Sequence, residues 1–226
     1  RSAFAGSQRY PLHWGGDSSA RWDNLFANVA GGLSLGLCGF PFWSMDIGGF
    51  MGEPDDDLLI RWLQAGLFLS HSRIHGFGNR ELYDRGATTD RARDLLHLRY
   101  RLLPYLLGHA HHAAAAGVPL ARPLVVDHPD DPTTWHLTNQ WLLGDDLLVA
   151  PVADPDGNRR VYLPDGDWVH WFTGEHHHGP TWLDTHSPID HFPLYQRAAS
   201  LVPLGPATAH VGARPTDQLT LRAGDP

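Results

Sequence analysis

Three times in its first 75 residues the chain runs a short apolar stretch into a polar side chain, with glycines close by. The apolar runs cover 10–14, 40–43 and 69–75, and the polar groups are Asp17 after Gly15-Gly16, Asp46 before Gly48-Gly49, and His75. Between them lie helical patterns. Residues 22–35 place Leu25, Phe26, Val29 and Leu33 on one face at spacings of three and four. Residues 57–69 carry acidic side chains in their first turn, where the helix dipole favours them. Strand, loop and helix in repetition is the rhythm of a (β/α) barrel, whose strand ends share one mouth. Three units cannot close an eight-stranded barrel, and soluble proteins avoid unpaired parallel edges. The missing units are therefore expected from upstream residues or from a partner chain. Because the sequence opens on Arg1 inside what reads as a structured segment, a piece of a longer protein is expected.

Residues 88–116 predict a long helix, opened by a Thr88/Thr89 cap and closed by Gly117, with Pro104 kinking or restarting it. Beyond Gly117, Pro and Gly recur every few residues. Short strands are predicted at 120–126, 147–152, 160–163, 168–172 and 199–202, with turns at Asp156-Gly157 and Asp165-Gly166. That spacing predicts an antiparallel β-sandwich. The expected fold class is α/β plus β: an incomplete C-terminal half of a (β/α)8 TIM barrel over 1–117, then a β-sandwich domain over 118–226.

Composition narrows the function. The net charge is −8, and no basic run appears, which argues against nucleic acid as a partner. No apolar run approaches the roughly 20 residues needed to span a membrane. The single cysteine, Cys38, rules out an internal disulfide framework and a cysteine-based zinc site. It lies in an apolar run and is expected to be an inert, buried thiol. The nine Trp include flat faces suited to sugar rings, although Trp also fills cores.

Each candidate site residue has a bland reading beside the functional one. Asp17 follows a Trp-Gly-Gly turn that leaves room for a ligand, but with Ser18 and Ser19 it also suits a helix N-cap before Trp22. Asp46 reads as a site carboxylate or as a turn-forming Asp, and His75 as a site residue or a satisfied core histidine. Taken together, the three put polar groups at consecutive strand ends, where barrel active sites lie. No metal or cofactor is expected. His176, His177 and His178 diverge along the backbone and are expected in a solvated loop, and His109, His111 and His112 on a solvated helix face. The glycine-rich runs lack nucleotide-motif spacing, and no GxSxG elbow or kinase signature is present.

The motifs RSAxxGSQ, HWGGDSSARWDNL, GLSLGLCGFPFWSMDIGGF, RWLQAGLFLSHSRIHG and GDDLLVAPV occur in this order. Together they resemble glycoside hydrolase family 31, the retaining α-glycosidases, and most closely its bacterial α-xylosidases. The resemblance runs from Arg1 to about Leu204. The SHSRIH segment looks like the xylosidases, where family α-glucosidases tend to show Arg-Asn-His preceded by aromatics. The resemblance implies that Asp17 is the general acid/base, protonating the leaving oxygen and then activating water. Such an acid needs an environment that disfavours its charge, and Trp14 offers an apolar wall. It further implies that Arg1, Trp14, Asp46, Phe50 and His75 line the subsite for the non-reducing-end sugar. Arg1, Asp46 and His75 would bind hydroxyls, while Trp14 and Phe50 would make apolar contacts and Trp43 would stand behind them.

Retaining chemistry needs a second carboxylate, about 5–5.5 Å from the acid, as nucleophile. The family carries it on an earlier strand, so these 226 residues alone are expected to be inactive. The expected substrate is an α-linked oligosaccharide or xyloside, with α-glucosidase as the alternative. A sulfoquinovosidase would need a cation for the sulfonate, which only Arg1 or Arg73 could offer. A sugar-binding relic or subunit is the reading from another class, followed by a lectin-like module. Family resemblance and the single cysteine point to the cytoplasm, and a homo-oligomer of the longer protein stays open.

Overall fold

The computed structural model describes residues 3–10, 12–215 and 217–225. Its first part follows the repeating pattern in β1 (His13–Trp14), α1 (Trp22–Leu37), β2 (Trp43–Ser44), β3 (Asp46–Ile47), α2 (Asp56–Gly66), β4 (Arg73–Ile74), α3 (Ala87–Arg101) and α4 (Leu103–Ala116). β1 lies parallel to β2, with His13 opposite Trp43. One residue on, past Met45, β3 lies parallel to β4, with Asp46 opposite Arg73. The stretch 43–47 is thus the middle of three parallel strands set side by side in chain order. The strands are shorter than the apolar runs, and among the described residues β1 and β4 each pair along one edge.

Helices cover these strands closely. α1 buries Leu25, Val29, Leu33 and Gly36 on one face, while Phe26 turns aside, its ring under the Arg159 guanidinium at 5.4 Å. At Gly32 the helix meets the Trp43 ring so tightly that a Cβ there would lie 2.1 Å from it. α2 is buried from Leu58 through Gly66, with Asp55 capping it by accepting the Leu58 N–H at 2.7 Å. Beyond its other end, Arg99 donates to the carbonyls of Leu67, Leu69 and Ser70 at 2.9, 2.6 and 2.9 Å, supplying donors to the segment that follows the helix. Burial in that nest pushes the Arg99 guanidinium down to about 10. The predicted long helix is two, broken at Leu102, with Pro104 in the first turn of the second, where its missing N–H breaks no helical bond. Gly117 ends it in the left-handed region at φ 75°.

The second part is antiparallel throughout. β5 (Ala121–Arg122), β6 (Trp141–Leu143), β7 (Leu147–Val149), β8 (Asn158–His170), β9 (His176–His186) and β10 (Leu194–Arg197) form a six-stranded sheet in the order β5-β6-β7-β10-β8-β9. β11 (Leu201–Leu204) and β12 (Thr220–Ala223) form a separate pair. The period of two splits β6 and β7 between two cores. Trp141, Leu143, Leu147 and Val149 join the core that contains α1 and α2, while Leu142 and Leu148 pack with Val161, Leu163 and Trp168 on the other face. The sheet is therefore built onto the helices, sharing one core with them.

Several sequence expectations are corrected. The first helix is entered through Arg21 with no side-chain cap, so Asp17 is not its N-cap. Thr88 and Thr89 do not cap α3 either; its N-cap is Gly86, and the Thr88 hydroxyl donates to Asp56. Asp165-Gly166 does not end a strand, because β8 runs through it with a register irregularity against β9, and Gly166 pairs with Gly179. The histidine triplet opens β9 and is not a loop, and its middle member, His177, turns toward the Tyr195 ring at 5.7 Å. Residues 120–126 form only a two-residue strand before a 3-10 turn, and 199–202 starts late because Ala199 turns at φ 58°. His109 packs against Tyr105 with ring centroids 4.4 Å apart, where burial lowers its pKa, so it is not solvated. Cys38 is exposed, since α1 ends there and projects it outward.

Candidate active site

The loops that follow the three strand ends are stitched into one rim. The N–H groups of Phe50 and Met51, after β3, both donate to the Ser18 carbonyl, after β1, at 2.7 and 2.9 Å. Ala20 returns a bond to the Met51 carbonyl at 2.7 Å. Phe77, after β4, donates to the Phe50 carbonyl at 2.8 Å. Gly49 makes this crossing possible, because a Cβ there would lie 2.7 Å from the Ala20 nitrogen and its φ is 75°. The buried Arg80 guanidinium closes the rim from below, donating to the carbonyls of Gly49, at 3.1 and 2.9 Å, and Gly52.

Within that rim the structure brings Trp14, Asp46 and Arg73 into contact. The Asp46 carboxylate has none of its side chain exposed. Its Oδ2 accepts the Trp14 indole N–H at 3.1 Å, and its Oδ1 accepts Nε and Nη2 of Arg73 at 2.8 and 2.6 Å. The Arg73 guanidinium in turn lies over the Trp14 ring, 5.0 Å from its centroid. Asp46 is thus not a simple turn former: its carboxylate is held between the indole edge and the guanidinium. Phe50 and His75 meet on the neighbouring side of the rim, ring centroids 5.3 Å apart, with Phe77 against Phe50 at 4.9 Å. His75 is exposed and is no core histidine.

Asp17 is exposed on the loop between β1 and α1, and with Gly15, Ser18, Asn28 and Gly32 it lines a depression of about 260 Å³. Trp43 is buried behind the rim, its backbone fixed by Ser70, whose hydroxyl accepts the Trp43 N–H at 2.9 Å and donates to the Trp43 carbonyl at 2.8 Å. Arg1 lies outside the described residues.

The residue that sequence reasoning undervalued is Arg73, considered there only as a possible sulfonate contact. Its guanidinium is committed to Asp46 and Trp14. A signal was present, since Arg73 stands two residues before His75 and so shares its face of an extended chain. Nothing in the sequence signals Arg80 or Ser70.

Family models match both parts of the chain: the glycosyl hydrolases family 31 TIM-barrel domain over residues 1–108, and the glycosyl hydrolase family 31 C-terminal domain over 117–202. The chain belongs to glycosyl hydrolase family 31. Among curated proteins it is 37% identical over 232 residues to an α-xylosidase of Emericella nidulans, spanning 98% of this chain and 30% of that protein. It is 40% identical over 211 residues to neutral α-glucosidase AB of Homo sapiens, spanning 90% of this chain and 22% of that protein. Among solved structures, a Flavobacterium johnsoniae dextranase complexed with isomaltotriose aligns with a TM-score of 0.89 at 33% identity, over 94% of this chain and 28% of that one. An α-xylosidase from Xanthomonas citri aligns with a TM-score of 0.83 at 33% identity, over 88% of this chain and 24% of that one. This chain therefore spans less than a third of each of these relatives.

Proposed function

We propose that this chain is the acid/base-bearing C-terminal portion of a longer retaining α-glycoside hydrolase that releases a non-reducing-end α-linked sugar, with α-xylose preferred. In this reading residues 1–117 complete a (β/α)8 barrel with upstream strands, and 118–226 form a β-sandwich domain packed on it. The observation that supports the reading is the stitched rim, whose backbone hydrogen bonds join the loops that follow consecutive strands and carry Asp17, Phe50 and His75.

The Asp17 carboxyl gives its proton to the glycosidic oxygen while a carboxylate from outside these residues forms a bond to the anomeric carbon and the aglycone leaves. Water then attacks that carbon, its proton passes to Asp17, and the carboxylate departs. Trp14 and Phe50 give the sugar apolar walls, and His75 and Arg1 bind its hydroxyls. Asp46 is not the nucleophile in this reading, since none of its side chain is exposed to meet an anomeric carbon. Residues 1–226 alone turn over no glycoside in this reading.

Xylose is preferred on the SHSRIH segment at the third strand and on the similarity to α-xylosidases. The 40% identity to an α-glucosidase supports glucose as the second reading. The test is kcat/KM of the complete protein on aryl α-xyloside against aryl α-glucoside. A higher value for the xyloside is expected, the reverse order selects the glucosidase, and turnover of neither rejects the reading.

A further inference from the structure

We propose that Asp46 is a positioning residue rather than a sugar-binding carboxylate, fixing the Trp14 indole as the wall beside Asp17. The inference rests on the glycosidase reading above and deepens it. None of the Asp46 side chain is exposed, and any further polypeptide can only add to that burial. A buried carboxylate needs donors for its oxygens, and three N–H groups already point at this one. Two come from Arg73, whose Nε and Nη2 both donate to Oδ1 in a charge-assisted contact. The third is the edge of the Trp14 ring, whose face the same guanidinium covers at 5.0 Å.

The three residues form a closed triangle, in which the carboxylate holds both the indole edge and the cation, and the cation holds the ring face. Each member lies on a different strand: Trp14 ends β1, Asp46 opens β3 and Arg73 opens β4. The triangle therefore locks three strand ends in one arrangement. Trp14 stands three residues before Asp17, on the same turn out of β1. A misplaced wall of about 1 Å is enough to lower a rate by about 10²-fold.

The test uses the complete protein with a series of deoxy aryl α-glycosides, each lacking one hydroxyl. If Asp46→Asn removes a contact to one hydroxyl, its penalty disappears on the sugar lacking that hydroxyl. If Asp46 positions Trp14, the loss in kcat/KM, about 10²-fold, is the same across the series. Arg73→Lys opens the triangle from its other side with the carboxylate intact, and is expected to reproduce that uniform profile. A penalty confined to one hydroxyl overturns the proposal. A readout independent of turnover is the indole N–H resonance of Trp14 in protein labelled with ¹⁵N-tryptophan. It is expected to move in both variants; a resonance unmoved in both overturns the proposal, and if Asp46→Asn fails to fold, a resonance unmoved in Arg73→Lys alone overturns it. Wild-type protein inactive on every glycoside would reject the glycosidase reading instead, leaving the resonance to decide the triangle.

Discussion

Replacing Asp17 by Asn in the complete protein is expected to lower kcat/KM about 10²–10⁴-fold for glycosides with poor leaving groups. The amide keeps the shape of the side chain but has no proton to deliver to the departing oxygen. The loss should shrink as the leaving group improves, because a dinitrophenolate departs without protonation. With such substrates the second step becomes limiting, since water then lacks its base. Added azide, which needs no base, should restore turnover and yield a glycosyl azide of retained configuration. A steady-state series of aryl glycosides spanning several phenol pKa values checks this. A uniform loss across the series, without azide rescue, would show that Asp17 binds substrate rather than moving a proton.

Arg61→Met is expected to give the largest loss of stability, about 3 kcal/mol. Arg61 sits on the fully buried turn of α2 with only 3% of its surface exposed. Its guanidinium donates to the carbonyls of Ser187 at 2.6 Å, His191 at 2.8 Å and Pro188 at 3.4 Å, and to the Gln64 side chain at 3.0 Å. Gln64 adds a bond to the Ile189 carbonyl at 2.6 Å. Among the described residues no carboxylate touches the cation, and desolvation by burial lowers its pKa against the more distant pull of Asp57, Asp154 and Asp190. Carbonyl oxygens therefore stand in for water around it, and they belong to the segment that leads into β10. Methionine fills the volume but leaves those carbonyls without donors. At about 2–4 °C per kcal/mol for a domain of this size, the thermal midpoint should fall by roughly 10 °C. Differential scanning calorimetry reads the shift, and a midpoint within 2 °C of wild type would contradict the role assigned to this contact.

The helices of the first part were legible because their apolar spacing is local. Leu25, Val29 and Leu33 in α1 and the acidic opening of α2 carry the pattern in the chain itself. Pro104 announced the break between α3 and α4 for the same reason. The second part was less legible. β6 and β10 escaped notice because both faces of β6 are buried and β10 is only four residues long, so neither shows alternation. β9 carries histidines and a proline, and only its pairing with β8 makes it a strand. Cys38 looked buried from its apolar neighbours, but the helix ends before the chain turns inward. In the site, single strand ends were readable and their contacts were not. Trp14 and Asp46 are 32 residues apart, and Asp46 and Arg73 are 27 apart, so nothing local records the triangle.

The central claim is that Asp17 is the acid/base of a retaining enzyme whose nucleophile lies outside residues 1–226. Trapping the covalent intermediate tests it most directly. The complete protein is treated with a 5-fluoro-α-glycosyl fluoride, digested, and the labelled peptide is located by mass spectrometry. The label is expected on a carboxylate upstream of Arg1, with none on Asp17 or Asp46. A label on Asp46, or on any other carboxylate within these 226 residues, would contradict the account.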